Sequence, residues 1–147
     1  MNKFHFSLDR VLDWRRTRCR MEEGTLEALY ATVRDIEARQ TEQDTQCTTA
    51  EEALLREPAV TGRQLAELDA FQRFSAIERY RLEHQRMKCV QRVTEQILVV
   101  ADHQRKVRLL EQLRERRLAA WNKDLGREID READEAYLAK WRPVAPK

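Results

Sequence analysis

The chain is short of everything that punctuates a compact fold. Its 147 residues include only three glycines and three prolines, and aromatic residues make up 7%. β-Sandwiches, barrels and doubly wound α/β folds need a turn signal about every ten residues, so all three are excluded. Gly24, Gly62 and Gly126 stand far apart, and neither common phosphate-cradling loop can be built from isolated glycines. No apolar run approaches a membrane span, and Asp9 and Asp13 interrupt the region where a secretion signal needs an unbroken apolar stretch. Cys19, Cys47 and Cys89 are an odd number without paired spacing, which suits a reducing compartment and not a disulfide framework. Together these absences lead to the expectation of a soluble, cytoplasmic chain.

Catalytic chemistry is missing too. His5, His84 and His103 have no partner at metal-ligand spacing, and Cys89, five residues after His84, falls on a different helix face. Ser7 and Ser75 sit in no nucleophile motif, while Glu22-Glu23 and Glu51-Glu52 read as solvated helix faces. The expectation is a protein that is not an enzyme and uses no cofactor and no metal.

What the chain does have is helix formers. Ala, Glu, Lys, Leu and Arg supply about half of it, and charged residues 37%. Punctuation falls at the start, at Glu57-Pro58-Ala59-Val60-Thr61-Gly62, and after Pro143. The fold predicted is therefore all-α: one long antiparallel two-helix coiled-coil hairpin, with helix one over about 7–56, a turn over about 57–61, helix two over about 62–141 and a tail over 142–147. Ser7 is placed to cap the first helix, Thr61 and Gln64 form a capping box for the second, and Pro58 stops the first.

Alternating steps of four and three from Leu8 pass through Leu12, Cys19, Leu26, Leu29, Val33, Ile36, Cys47 and Leu54, a sustained heptad seam. The same stepping in helix two gives Val90, Val93, Ile97, Val100, Gln104 and Val107, continuing to Trp121 and Leu125. Pairing directly from the turn makes partner numbers add to about 119, with Leu26 on Val93; one heptad of slip gives about 126, with Leu29 on Ile97. Both registers stay open at this point. In either, helix two outlasts helix one, and Leu125 to Trp141 have no partner in the chain.

Net charge is only +2, which speaks against a general polyanion binder, and no nucleic-acid partner is expected. The distribution is uneven, however. Residues 10–20 carry five basic and one acidic side chain, residues 105–117 six and two, and residues 21–57 three and ten. A hairpin brings the two basic runs to one level as a collar of Arg10, Arg16, Arg18, Arg20, Arg105, Lys106, Arg108, Arg116 and Arg117, near Trp14 and Trp121. Such a collar is either a solvated flank or a seat on an acidic protein. Between Leu65 and Tyr80 the apolar residues recur every three positions and drift around the helix, so Phe71, Phe74, Ile77 and Tyr80 are either hairpin core or an exposed docking stripe.

The opening Phe4-x-Phe6-x-Leu8-x-x-Val11-Leu12-x-x-Arg15, followed by Glu22-Glu23, resembles the start of the FliJ family of flagellar export proteins. The run Leu110-Glu111-Gln112-Leu113-Arg114-Glu115-Arg116-Arg117, then Trp121 and Asp134-Glu135, is similar to that family's C-terminal pattern. The resemblance implies a stalk-like coiled coil of a bacterial type III export apparatus. Its partners would be the export ATPase hexamer, the cytoplasmic domain of the export gate and export chaperones, with membrane association through partners only, at the inner face of the cell membrane. On that footing Arg16, Arg18, Arg116, Arg117 and Trp121 would contact the ATPase, and Phe71, Phe74, Ile77 and Tyr80 the gate. The stalk protein of an injectisome is built alike, and a generic coiled-coil scaffold would share the heptads.

Overall fold

The computed structural model describes residues 2–141, all helical apart from a short N-terminal stretch, one turn and the last residue. Helix α1 runs Asp9–Leu55 and helix α2 Gly62–Lys140, and the two pack against each other antiparallel. The tail over 142–147 lies outside the described residues.

Local chemistry sets the helix ends. Thr61 and Gln64 form a reciprocal capping box: the Thr61 N–H donates to Gln64 Oε1 at 2.9 Å, and the Gln64 N–H donates to Thr61 Oγ1 at 3.2 Å. Before Pro58 the first helix closes with a tighter final bond, from the Glu57 N–H to the Leu54 carbonyl at 3.3 Å. At the other end the first turn hangs on the Phe6 carbonyl, which accepts from the Asp9 N–H at 3.1 Å. Ser7, expected to cap this helix, instead accepts a hydrogen bond from Arg117 at 3.0 Å.

The chain divides into two compact units. In the unit Cys19–Asp102, a hairpin of α1 and α2 around the turn, every seam position predicted for α1 is buried or half-buried. On α2 the seam is Gln64, Leu68, Phe71, Ser75, Glu78, Leu82, Arg86, Cys89, Val93, Gln96 and Val100. This differs from the expected phase: Val93 and Val100 face inward, but Val90 and Ile97 are exposed and Cys89 and Gln96 replace them. The reason is polar. Gln96 donates to both the backbone carbonyl and the carboxylate of Glu22, at 3.0 and 2.7 Å, and the Cys89 thiol rests 3.7 Å from the Leu29 carbonyl. Two successive steps of four, from Glu78 through Leu82 to Arg86, shift the inward face between the turn and this region.

Register follows from the same contacts. Seam partners Gln43 with Ser75, Leu29 with Cys89 and Glu22 with Gln96 all have numbers adding to 118, so the helices pair directly from the turn and not one heptad away. Edge partners add to 123: Glu51 with Gln72 at 2.9 Å, Asp44 with Arg79 at 2.9 Å and Glu37 with Arg86 at 3.8 Å. Glu83 joins this edge, accepting from Gln40 at 2.8 Å and from Arg86 at 3.1 Å. Those bonds, Arg86 first, hold its carboxyl below the ordinary range.

The seam is thin in large apolar groups, with Ile36, Leu82 and Cys89 at its centre and Leu29 and Val33 packed on them. Polar layers fix its alignment. Ser75 is 2% exposed and accepts a 2.8 Å hydrogen bond from the Gln43 amide, a pairing that slippage would break. Ser75→Val should cost about 1–3 kcal/mol in denaturant unfolding, because the Gln43 amide loses its partner, whereas Q43L/S75A should recover most of that loss. If the double variant is as unstable as S75V, the layer matters for packing volume and not for hydrogen bonding.

The second unit comprises residues 1–18 with 103–147. Here the N-terminal stretch lies along α2. Phe6 is 1% exposed beneath the Arg117 guanidinium, 5.5 Å from its ring centre, and Arg114 sits 5.7 Å over Phe4. Phe4 in turn meets Trp121 with ring centroids 6.0 Å apart. Leu12 is as buried as Phe6. The F-x-F opening is thus a clasp that fastens the start of α1 to α2. Beyond Leu125, every described residue of α2 is exposed.

Candidate docking surfaces

The stripe of aromatic and aliphatic residues in the Cys19–Asp102 unit divides according to helix geometry. A step of three residues turns back by about 60°, so four residues at that spacing sweep from one side of the helix to the other. Phe71 comes first and faces the hairpin, lining a hollow near the turn with Ala50, Ala53, Leu54 and Leu68. Phe74, Ile77 and Tyr80 rotate progressively outward and are 57%, 68% and 79% exposed. Of the four residues expected to meet an export gate, one packs inside the hairpin and three present an apolar surface. Salt bridges neutralise the charges beside them: Arg73 with Asp69 at 3.0 Å, Arg79 with Asp44 at 2.9 Å and Arg81 with Glu78 at 3.7 Å. An apolar centre with a compensated polar rim is the anatomy of a protein interface.

The basic collar divides in a similar way. Arg20 belongs to the Cys19–Asp102 unit, and the remaining members belong to the unit that holds the clasp. Arg16 is committed within the chain, donating from Nε and Nη2 to Glu111 Oε1 at 3.3 and 3.1 Å, with Asp13 at 3.9 Å. Arg114 pairs with Asp9 at 3.5 Å, and Arg117 holds Ser7 and covers Phe6. Arg18 is half-buried with a contact of its own. Arg10, Arg105, Arg108 and Arg116 are exposed and take no ion pair among the described residues. On α2, Arg105, Arg108 and Arg116 share one outward face. Trp121, expected at a partner interface, is half-buried against Phe4, while Trp14 is exposed with Arg15 stacked 4.9 Å over its ring.

A third exposed feature is the end of α2, where Ile129, Tyr137, Leu138 and Trp141 lie open and the Tyr137 and Trp141 rings meet at 6.1 Å. Met87 and Leu98 are among the further apolar side chains that point outward. Their signal was present: they lie on a three-and-four stepping that starts from Ile77, out of phase with the seam.

Among the described residues no group of three His, Cys, Asp or Glu is placed to hold a metal ion, and no helix is long and apolar enough to cross a membrane. All three cysteines are buried free thiols at seam positions of the hairpin, and burial, with help from Glu23, pushes the Cys19 thiol up. No family model, curated protein or solved structure matches the chain.

Proposed function

We propose that the chain is a non-enzymatic, stalk-like component of a bacterial flagellar type III export apparatus, joining the export ATPase ring to the membrane export gate and assisting export chaperones. The observation that carries this reading is the patch of Phe74, Ile77 and Tyr80. Three large apolar side chains are held outward on a hairpin that needs none of them for its seam, so their surface is available to a partner. The resemblance of both ends of the sequence to the FliJ family gives that partner its identity, the cytoplasmic domain of the gate. The protein would work at the inner face of the membrane, held there by what it binds.

The outward arginines supply the second contact. Arg105, Arg108 and Arg116 present positive charge that no ion pair among the described residues neutralises, which fits an acidic face of the ATPase ring. Arg117 also covers Phe6 in the clasp, and Arg16 ties α1 to Glu111 of α2, so both hold the fold beside the ATPase contact expected of them. Reversing the outward three together, R105E/R108E/R116E, should weaken ATPase binding about ten-fold or more at low salt and flatten its salt dependence. Titration calorimetry across ionic strength reads both effects, and an unchanged affinity at low salt would remove the collar from the mechanism.

A further inference from the structure

We infer that the outward face of α2 between Ile77 and Asp102 is a self-association surface, on which a second copy of this chain packs antiparallel across a two-fold axis. This face is a second heptad seam. Three-and-four stepping from Ile77 brings Tyr80, Met87 and Leu98 onto it, and the four side chains are between 62% and 79% exposed. The polar and small positions between them are exposed as well. α2 therefore carries two seams, an inner one filled by α1 and an outer one that none of the described residues covers. The outer one runs for about three and a half heptads, with apolar residues at five of its eight positions and His84, Gln91 and Thr94 at the others.

Charge along the edge of the stripe identifies the occupant. Arg81, Lys88, Glu95 and Asp102 follow one another at intervals of seven, two basic and then two acidic. Such a row complements itself only when reversed. Run antiparallel, Lys88 meets the partner's Glu95 and Arg81 the partner's Asp102, and the two-fold axis repeats both. A parallel pair would instead stack Tyr80 on Tyr80 and His84 on His84, and would set the charged edge against the row Ala76, Glu83, Val90 and Ile97, whose one charge, Glu83, is already bonded to Gln40 and Arg86 within the chain.

The hairpin itself calibrates the geometry. Within the Cys19–Asp102 unit, seam partners add to 118 and edge partners to 123, an offset of five along this edge. On the outer face, layers that place Tyr80 on the partner's Leu98 and Ile77 on the partner's Ala101 add to 178. The same offset requires edge pairs adding to 183, and both Lys88 with Glu95 and Arg81 with Asp102 meet it. On the other edge, Val90 lies one residue from the two-fold axis, which layers adding to 178 place level with position 89. Arg81 and Asp102 each already have a contact within their own chain, so Lys88 with Glu95 is the pair that tests the arrangement most cleanly.

This inference does not rest on the export function, but it bears on it. Ile77 and Tyr80 belong to both surfaces, so a chain paired in this way cannot dock through them. Its test uses the full chain alone, by sedimentation equilibrium at low salt. The wild type should show a monomer–dimer equilibrium, and L98E should abolish it. K88E and E95K should each weaken association about ten-fold or more, since the two-fold axis turns two attractive pairs into two repulsive ones. K88E/E95K, which restores opposite charges across the interface, should return to within a few-fold of the wild type while helicity stays constant throughout. A chain that remains monomeric at about 100 μM, or a double variant as weak as either single one, would overturn the inference.

Discussion

Phe74→Ala should leave the stability of the hairpin within about 0.5 kcal/mol of the wild type, yet weaken binding to the cytoplasmic domain of a flagellar export gate by more than about 2 kcal/mol, roughly thirty-fold. The contrast follows from where the ring sits. It is 57% exposed and outside the seam, so its removal opens no cavity, whereas an aromatic anchor in an interface is typically among the few residues that dominate affinity. Phe71, one helical turn earlier, is the control: it lines the hollow by the turn, and Phe71→Ala should lower thermal stability first. Paired thermal unfolding and binding isotherms separate the two. A large melting shift in Phe74→Ala with gate affinity intact would return the ring to hairpin packing.

The largest loss of stability is expected at the clasp. Phe6→Ala removes a side chain that is 1% exposed, in a segment with no helical hydrogen bonds of its own, and should cost about 3–5 kcal/mol. Its effect should be local. Amide exchange should accelerate over residues 9–18 and along α2 from His103 to Leu125, where Arg117 loses the ring it covers and the neighbouring contacts of Phe4 with Arg114 and Trp121 loosen, and much less around Ile36 and Leu82. Uniform acceleration along the chain would mean that the clasp guards the whole fold and not its own unit. Export in cells should fail with this variant through loss of structure, which distinguishes it from Phe74→Ala.

Much of this architecture is legible in the residues because a heptad repeat is a statement about faces. Leu12, Cys19, Ile36 and Cys47 recur at the steps that a seam requires, and all four are buried. The inward face of α2 is harder to see in the residues, because apolar content alone points to the wrong phase. Val90 and Ile97 are better core residues by composition than Cys89 and Gln96, but Gln96 finds both a carbonyl and a carboxylate on Glu22, and a satisfied amide displaces an isoleucine from the seam. Two overlapping apolar phases on one helix, an inner and an outer, cannot be ranked without knowing which groups the opposite helix offers. The stripe from Phe71 to Tyr80 was readable as a drift, and helix geometry decides where along it the surface begins. The collar was readable only as a density of positive charge. Which arginines spend that charge inside the chain depends on acids far away in sequence, such as Glu111 for Arg16 and Asp9 for Arg114. The clasp gave a motif without a mechanism, and the mechanism is Phe6 under Arg117 and Phe4 on Trp121.

The central claim is that one chain holds two different partners through two separate surfaces. The most direct measurement mixes the purified chain with the export ATPase hexamer and the gate domain and counts complexes by mass. The account predicts a ternary assembly in which F74A/Y80A releases only the gate domain and R105E/R108E/R116E releases only the ATPase. A chain that binds neither protein, or variants that release both partners together, would contradict it.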